Sequence, residues 1–143
     1  MAELSDFQRA IVAEARSWLG TRFAHHGRVK GRSCDCAGLV IGVGAAVGCP
    51  IVDEAIYAPR PDPAMLLAHC ERQGLRVPVA QAQVGDVALF AFQGQPQHLA
   101  ILGDYFAGGL SMIHAFSLAR KVVETRLDDS WPLVGVFRFK QVA

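Results

Sequence analysis

The opening residues have little of what a secretory leader needs. Met1-Ala2-Glu3-Leu4-Ser5-Asp6 carries no basic residue and no apolar run behind it, so no secretory signal is expected. Long hydrophobic stretches are missing too. The longest, Leu39 to Val47, is about half of the ~20 residues that span a bilayer, so no membrane partner is expected. Neither sign of charge dominates, since 14 Lys and Arg stand against 13 Asp and Glu for a net charge of +1. That gives no general reason to expect nucleic acid as a partner. Internal repeats, linkers and low-complexity segments are also absent. Cysteine is sparse: Cys34, Cys36, Cys49 and Cys70. An even count would allow two disulfides. Without a secretory signal free thiols are expected, and Cys34-x-Cys36 is a poor spacing for a bridge.

What is present is enough apolar residue to build a core. The chain has 143 residues, 52% hydrophobic and 19% charged, which predicts one domain over residues 1–143 and argues against disorder. Residues 5 to 19 have helical periodicity. Ser5 is a good N-cap, Gln8 completes a capping box, and Phe7, Ile11, Ala15, Trp18 and Leu19 share a face. Gly20 ends the helix. Residues 20 to 34 form a basic loop: Arg22, Arg28, Lys30 and Arg32 could line the rim of a site for an anionic substrate, or simply be solvated.

A second helix is expected over residues 36 to 48, with Asp35 as N-cap. Its glycines, Gly38, Gly42 and Gly44, each cost about 1 kcal/mol relative to alanine, so this helix needs burial to form. Asp62-Pro63 starts a third helix that Gly74 ends. From Val77 the period turns alternating. Strands are expected at Asp86–Phe92, His98–Gly103, Leu110–Phe116, Lys121–Thr125 and Leu133–Phe139. Helices followed by short consecutive strands indicate an α+β fold, with the N-terminal helices packed on a mostly antiparallel sheet of about five strands.

Chemistry concentrates at Cys36. A cysteine at a helix N-terminus has its thiol pKa lowered by the dipole, which suits a nucleophile. The candidate base is a strand histidine. A hairpin centred on Phe106 pairs Leu102 with Leu110, Ala100 with Met112 and His98 with His114. Opposite residues have Cβ atoms about 4.5–5.5 Å apart on one face. One histidine could then take the thiol proton while the other orients it. A rival is zinc bound by Cys34, Cys36 and His25 or His26. No second ligand pair occurs at usual spacing, so no metal and no cofactor are expected.

Three segments resemble the NlpC-type cell-wall cysteine peptidases, a papain-like family with a permuted order of elements. Trp18-Leu19-Gly20-Thr21-Arg22-Phe23 and Cys34-Asp35-Cys36-Ala37-Gly38-Leu39-Val40 are similar to W-x-G-T-P-Y and D-C-S-G-L-V. Val84-Gly85-Asp86-Val87-Ala88-Leu89-Phe90 resembles P-G-D-L-V-F-F. His98-Leu99-Ala100-Ile101-Leu102-Gly103, with Ile113-His114-Ala115, resembles H-V-G-I-Y-L-G and H-A. Ala37 stands where serine is usual and Arg22 where proline is. The resemblance implies a nucleophile at Cys36, a base at His98, an orienting residue at His114, and hydrolysis of a peptide or isopeptide bond in the stem peptide of peptidoglycan. His25 takes the place of a tyrosine near the oxyanion, which makes it an auxiliary residue, and Arg22, Arg28, Lys30 and Arg32 would draw in substrate carboxylates. The Cys-Asp-Cys wording and the basic loop resemble the branch found in phage tails and gene-transfer particles. That branch implies other tail proteins as partners, synthesis in the cytoplasm without a signal peptide, and action in the virion tail or after delivery to the cell wall. Two alternatives stay open: a catalytically silent tail-tip protein, and an acyltransferase or amidase using the same three residues.

Overall fold

The structure is a computed structural model that describes residues 3–49, 51–53, 63–92 and 95–141. Helix α1 covers Asp6–Arg16 and opens with the expected box, in which the Ser5 hydroxyl accepts from the Gln8 amide and the Gln8 side chain accepts from the Ser5 amide. It ends three residues earlier than its periodicity predicts. Trp18 and Leu19 instead donate to Ala15 and Arg16 in tight i→i−3 turns. This tightening tucks Trp18 under the next helix, where it is 4% exposed.

Helix α2, Cys36–Ala46, is capped by Asp35, whose carboxylate accepts from the Gly38 amide. A Cβ on Gly42 would collide with the Trp18 indole, so glycine here lets α1 and α2 meet closely. Leu39 and Val43 are fully buried at that contact, which offsets the weak helix propensity of the segment. Helix α3, Pro63–Gln73, begins at the expected proline, while its expected cap Asp62 lies outside the described residues.

The basic loop is more ordered than its composition implies. Two short strands, β1 (Arg28–Val29) and β2 (Ser33–Cys34), pair within it. The main sheet is entirely antiparallel and has six strands in the order β3-β8-β4-β5-β6-β7. These are β3 (Leu75–Val77), β4 (Val87–Phe92), β5 (Gln95–Asp104), β6 (Leu110–Phe116), β7 (Lys121–Arg126) and β8 (Leu133–Arg138). The extra strand β3 is too short to show a period in the sequence.

Both faces of the central strands are covered. Leu89, Leu99, Ile101, Ile113 and Ala115 pack with Leu39 and Val43 on the helix side. Ala88, Phe90, Ala100, Leu102 and Met112 form a second cluster on the other side, with Trp131 and Leu133 against it. Asp86, 1% exposed, is held by Arg138 at 2.8 and 3.0 Å and ties the start of β4 to the end of β8.

The β5–β6 register differs from the one expected. Ile101 faces Ile113, Leu102 faces Met112 and Asp104 faces Leu110, so the hairpin is centred on Ala107 rather than Phe106. Gly108 and Gly109 both have positive φ (97° and 77°), and Tyr105 N–H donates to Gly109 O across the loop. Two left-handed residues on the return side shift the centre by one residue and the pairing by two. An even shift keeps His98 and His114 on one face, diagonal instead of opposite.

Candidate active site

Cys36 is the first residue of α2, half-buried, at the point where the sheet opens. The β5–β6 ladder runs only from Asp104/Leu110 to Ile101/Ile113, while β5 stays paired to β4 through Leu99↔Leu89 and His98↔Phe90. Leu99, left without a β6 partner, donates its main-chain N–H to the Cys36 thiol. The thiol thus lies beside Leu99, the residue that follows His98.

His98 and His114 are 6% and 1% exposed, with His98 Nε2 2.7 Å from His114 Nδ1. Diagonal neighbours across antiparallel strands lie within reach of ring side chains. The rings meet in a T at 5.0 Å and 74°. Aromatic residues enclose them. Phe116 stacks on His114 at 5.2 Å, and Trp131 contacts His98 at 5.7 Å and His114 at 5.5 Å.

The electrostatics differ from those expected for a dipole-activated thiol. Burial first, and then the Asp35 carboxylate, push the Cys36 pKa up to about 11, against the pull of the Leu99, Ala37 and Cys36 amides. Burial lowers His98 to about 3, with His114 as a smaller cause, and lowers His114 to about 4. All these shifts favour a resting pair of neutral thiol and neutral imidazole over a preformed thiolate–imidazolium pair.

Asp35 fixes the helix tip. It is 4% exposed and takes hydrogen bonds from Gly38 N (2.8 Å), His26 N (2.8 Å) and Arg28 Nη1 (2.9 Å). A Cβ on Gly38 would strike the Gly27 carbonyl, so the loop lies directly on the first turn of α2. His26 adopts φ 65° to deliver its amide, and the His25 ring lies against its ring at 4.1 Å, tilted by 34°, at the exposed edge.

The basic rim is only partly as expected. Arg28 is tied to Asp35 and, at 2.9 and 3.3 Å, to Asp53; Lys30 is tied to Glu14 and Ser17, both at 2.8 Å. Both cations therefore brace the loop, Arg28 largely buried and Lys30 still exposed. Arg22 and Arg32 are exposed. Arg22 stands opposite Lys121 in an antiparallel bridge, next to the exposed Arg120. Lys121 and Arg120 join the rim from about a hundred residues downstream, so no local pattern could reveal them.

The other cysteines are placed differently. Cys34 is sealed in the core at 0% exposure, its pKa pushed to about 12 by burial. Burial does the same for Cys70 on α3, which also feels the Cys36 charge. All four thiols are free. Among the described residues no three or more His, Cys, Asp or Glu side chains are grouped to hold a metal ion, so the zinc site considered from Cys34, Cys36 and His25 or His26 is not assembled. The residue that sequence reasoning missed is Trp131. Its only signal is a large aromatic in the polar turn Asp128-Asp129-Ser130-Trp131-Pro132.

Comparison with known proteins agrees with this architecture. The family model described as NlpC/P60 family matches residues 20–132. The chain is similar to the NlpC/p60 domain of the peptidoglycan hydrolase SagA, at 25% identity and a TM-score of 0.63, covering 91% of this chain and 97% of that one. It shares its fold with the peptidoglycan hydrolase RipB from Mycobacterium tuberculosis, at 23% identity and a TM-score of 0.65, covering 95% of this chain and 66% of that one. It also shares it with RipD from the same organism, described as a non-catalytic NlpC/p60 domain protein adapted to peptidoglycan binding, at 19% identity and a TM-score of 0.60 over 94% and 98% of the two chains. No curated protein matches.

Proposed function

The chain belongs to the NlpC/P60 family, and from that premise we propose that it is a cysteine peptidase cutting a peptide or isopeptide bond in the stem peptide of peptidoglycan. One observation carries the reading: His98 and His114 are bonded at 2.7 Å on β5 and β6, and Cys36, at the start of α2, feels the main-chain N–H of the neighbouring Leu99. In this mechanism His98 takes the Cys36 proton as sulfur attacks the scissile carbonyl. The tetrahedral oxyanion is held by main-chain amides at the start of α2, with His25 at its edge. Collapse breaks the C–N bond, and the His98 proton goes to the leaving amine. Water, deprotonated by His98, then attacks the thioester and returns Cys36 as thiol.

The exposed cations Arg22, Arg32, Arg120 and Lys121 would attract the carboxylates of the stem peptide. The phage-tail setting, with delivery by a tail particle and other tail proteins as partners, rests on the sequence resemblance. A second reading is favoured by the fold shared with RipD: a wall-binding protein without catalysis. Transfer of the acyl group to an amine instead of water would use the same three residues. Mass spectrometry of muropeptides before and after incubation separates these readings. The peptidase releases new fragments that Cys36→Ala abolishes, the binder changes nothing, and the transferase yields amide-linked adducts.

A further inference from the structure

Trp131 is outside the three residues above, yet its indole touches every ring around them. It meets Phe90 at 5.8 Å and 82°, His98 at 5.7 Å and 81°, His114 at 5.5 Å and 80°, and Phe116 at 5.3 Å and 59°. It arrives on the β7–β8 connection. There Ser130 N–H donates to the Asp128 carboxylate, Trp131 N–H donates to Asp128 O, and Ala91 N–H donates to Pro132 O. A tight turn anchored to β4 thus sets one indole over both histidines.

The His98 Nε2–His114 Nδ1 hydrogen bond can be donated from either side, and only one direction suits a base. If His98 donates, its Nδ1 holds a lone pair for the Cys36 proton. His114 then accepts at Nδ1 and carries its own proton on Nε2. That Nε2 is buried and has no hydrogen-bond partner among the described residues. The Trp131 indole meets the His114 ring in a T-shaped contact, whereas Phe116 lies nearly parallel to it and offers its in-plane N–H no face. Aromatic surfaces are weak acceptors for an N–H, whereas a bare nitrogen lone pair gains nothing from them. The cage therefore favours the proton on His114 Nε2, and with it the direction that makes His98 the donor. Water inside the cage would remove this bias, because it can donate as readily as accept.

We infer that Trp131 is a positioning residue for the base: its indole keeps water off the His98–His114 bond and so holds His98 in the tautomer whose Nδ1 accepts the Cys36 proton. This rests on the roles proposed above for Cys36 and His98. The same ring serves the charged state. A protonated His98 would have the indole centroid 5.7 Å away, within the range of cation–π attraction. Among the described residues, His114 from β6 is bonded to His98, and the rings of Phe90, Phe116 and Trp131 lie against it.

The test is 15N-imidazole NMR of the full chain, with histidine labelled, on wild type, Trp131→Phe and Trp131→Leu. Leucine keeps apolar volume without a ring, and phenylalanine keeps a ring. Wild type and Trp131→Phe should show His98 and His114 as neutral Nε2–H tautomers well below the usual histidine titration range. Trp131→Leu should show mixed tautomers and a His98 titration raised by about one pH unit or more, toward its ordinary value. Its kcat on peptidoglycan should fall about tenfold or more with little change in KM. Wild-type His98 found as the Nδ1–H tautomer overturns the inference whatever the variants do. So does Trp131→Leu with unchanged tautomers and titration. A wild type that holds the tautomer but cleaves no peptidoglycan sinks the proposed function instead, so the two failures are distinct.

Discussion

Arg28 Nη1 lies 2.9 Å from Asp35 Oδ1, and this ion pair joins the basic loop to the helix that presents Cys36. Asp35 is 5% exposed at its side chain and Arg28 18%, so the pair is largely removed from water. The Asp35 carboxylate also caps α2 through Gly38 N. Removing Arg28 takes one cation from a buried carboxylate that also accepts from the Gly38 and His26 amides. Breaking a fully buried pair costs about 3–5 kcal/mol, and the residual exposure here scales the expectation for Arg28→Met to about 2–3 kcal/mol. Urea unfolding measures it. A cost below about 0.5 kcal/mol would show that the amides alone hold Asp35.

Cys34 and Cys36 are two residues apart and should behave as different kinds of residue. Cys36→Ala should retain the fold and lower muropeptide release by about a thousandfold or more, as loss of a nucleophile does. Cys34 is 0% exposed among core side chains. Cys34→Ala should cost about 1–2 kcal/mol of stability through a small cavity and leave kcat near wild type. Parallel melting curves and muropeptide assays check both. The reverse pattern would move the nucleophile to Cys34.

The elements that could be read from the sequence are those set by neighbours a few residues away. The Ser5–Gln8 box, the Asp35 cap and the position of Cys36 at a helix start all follow from local hydrogen bonding, and each is found. The sheet strands follow from runs of β-branched and aromatic residues. What could not be read is set across long separations. The partners of Arg28 and Lys30, Asp53 and Glu14, lie too far along the chain to be read beside them. Alternation is enough to put His98 and His114 on one face, but not to fix their register, because nothing local reveals that both Gly108 and Gly109 turn left-handed. Trp131 and Lys121 reach the site through chain topology alone.

The exposed pair Arg22 and Lys121 sits directly opposite across a bridge, an arrangement that like charges disfavour unless an anion or solvent intervenes. If that anion is a substrate carboxylate, Arg22→Gln and Lys121→Gln should each raise KM about two- to fivefold with kcat unchanged. The double variant should also flatten the loss of activity with added salt. Steady-state kinetics on a soluble stem-peptide substrate at two ionic strengths measures this. Unchanged KM and unchanged salt dependence would remove both residues from the substrate path.

Stability should have a plateau bounded by the buried histidines and thiols. His98 and His114 titrate near 3 and 4 in the folded chain against an ordinary 6.5, so the unfolded chain binds more protons between these limits. Stability therefore rises with pH through that window and is lost as pH falls from about 6.5 toward 3. Cys36 is raised to about 11, and Cys34 and Cys70 to about 12, from an ordinary 9.0. Their contribution is complete below about 9 and lost as pH climbs toward 11 and 12. Melting temperature against pH should be flat between roughly 6.5 and 9 and fall on both sides. Replacing both histidines, as in His98→Gln with His114→Gln, should flatten the acid side specifically while leaving the alkaline fall in place. An acid limb unchanged in that double variant would assign it to the carboxylates, chief among them Glu124, held low by its hydrogen bond to Arg16.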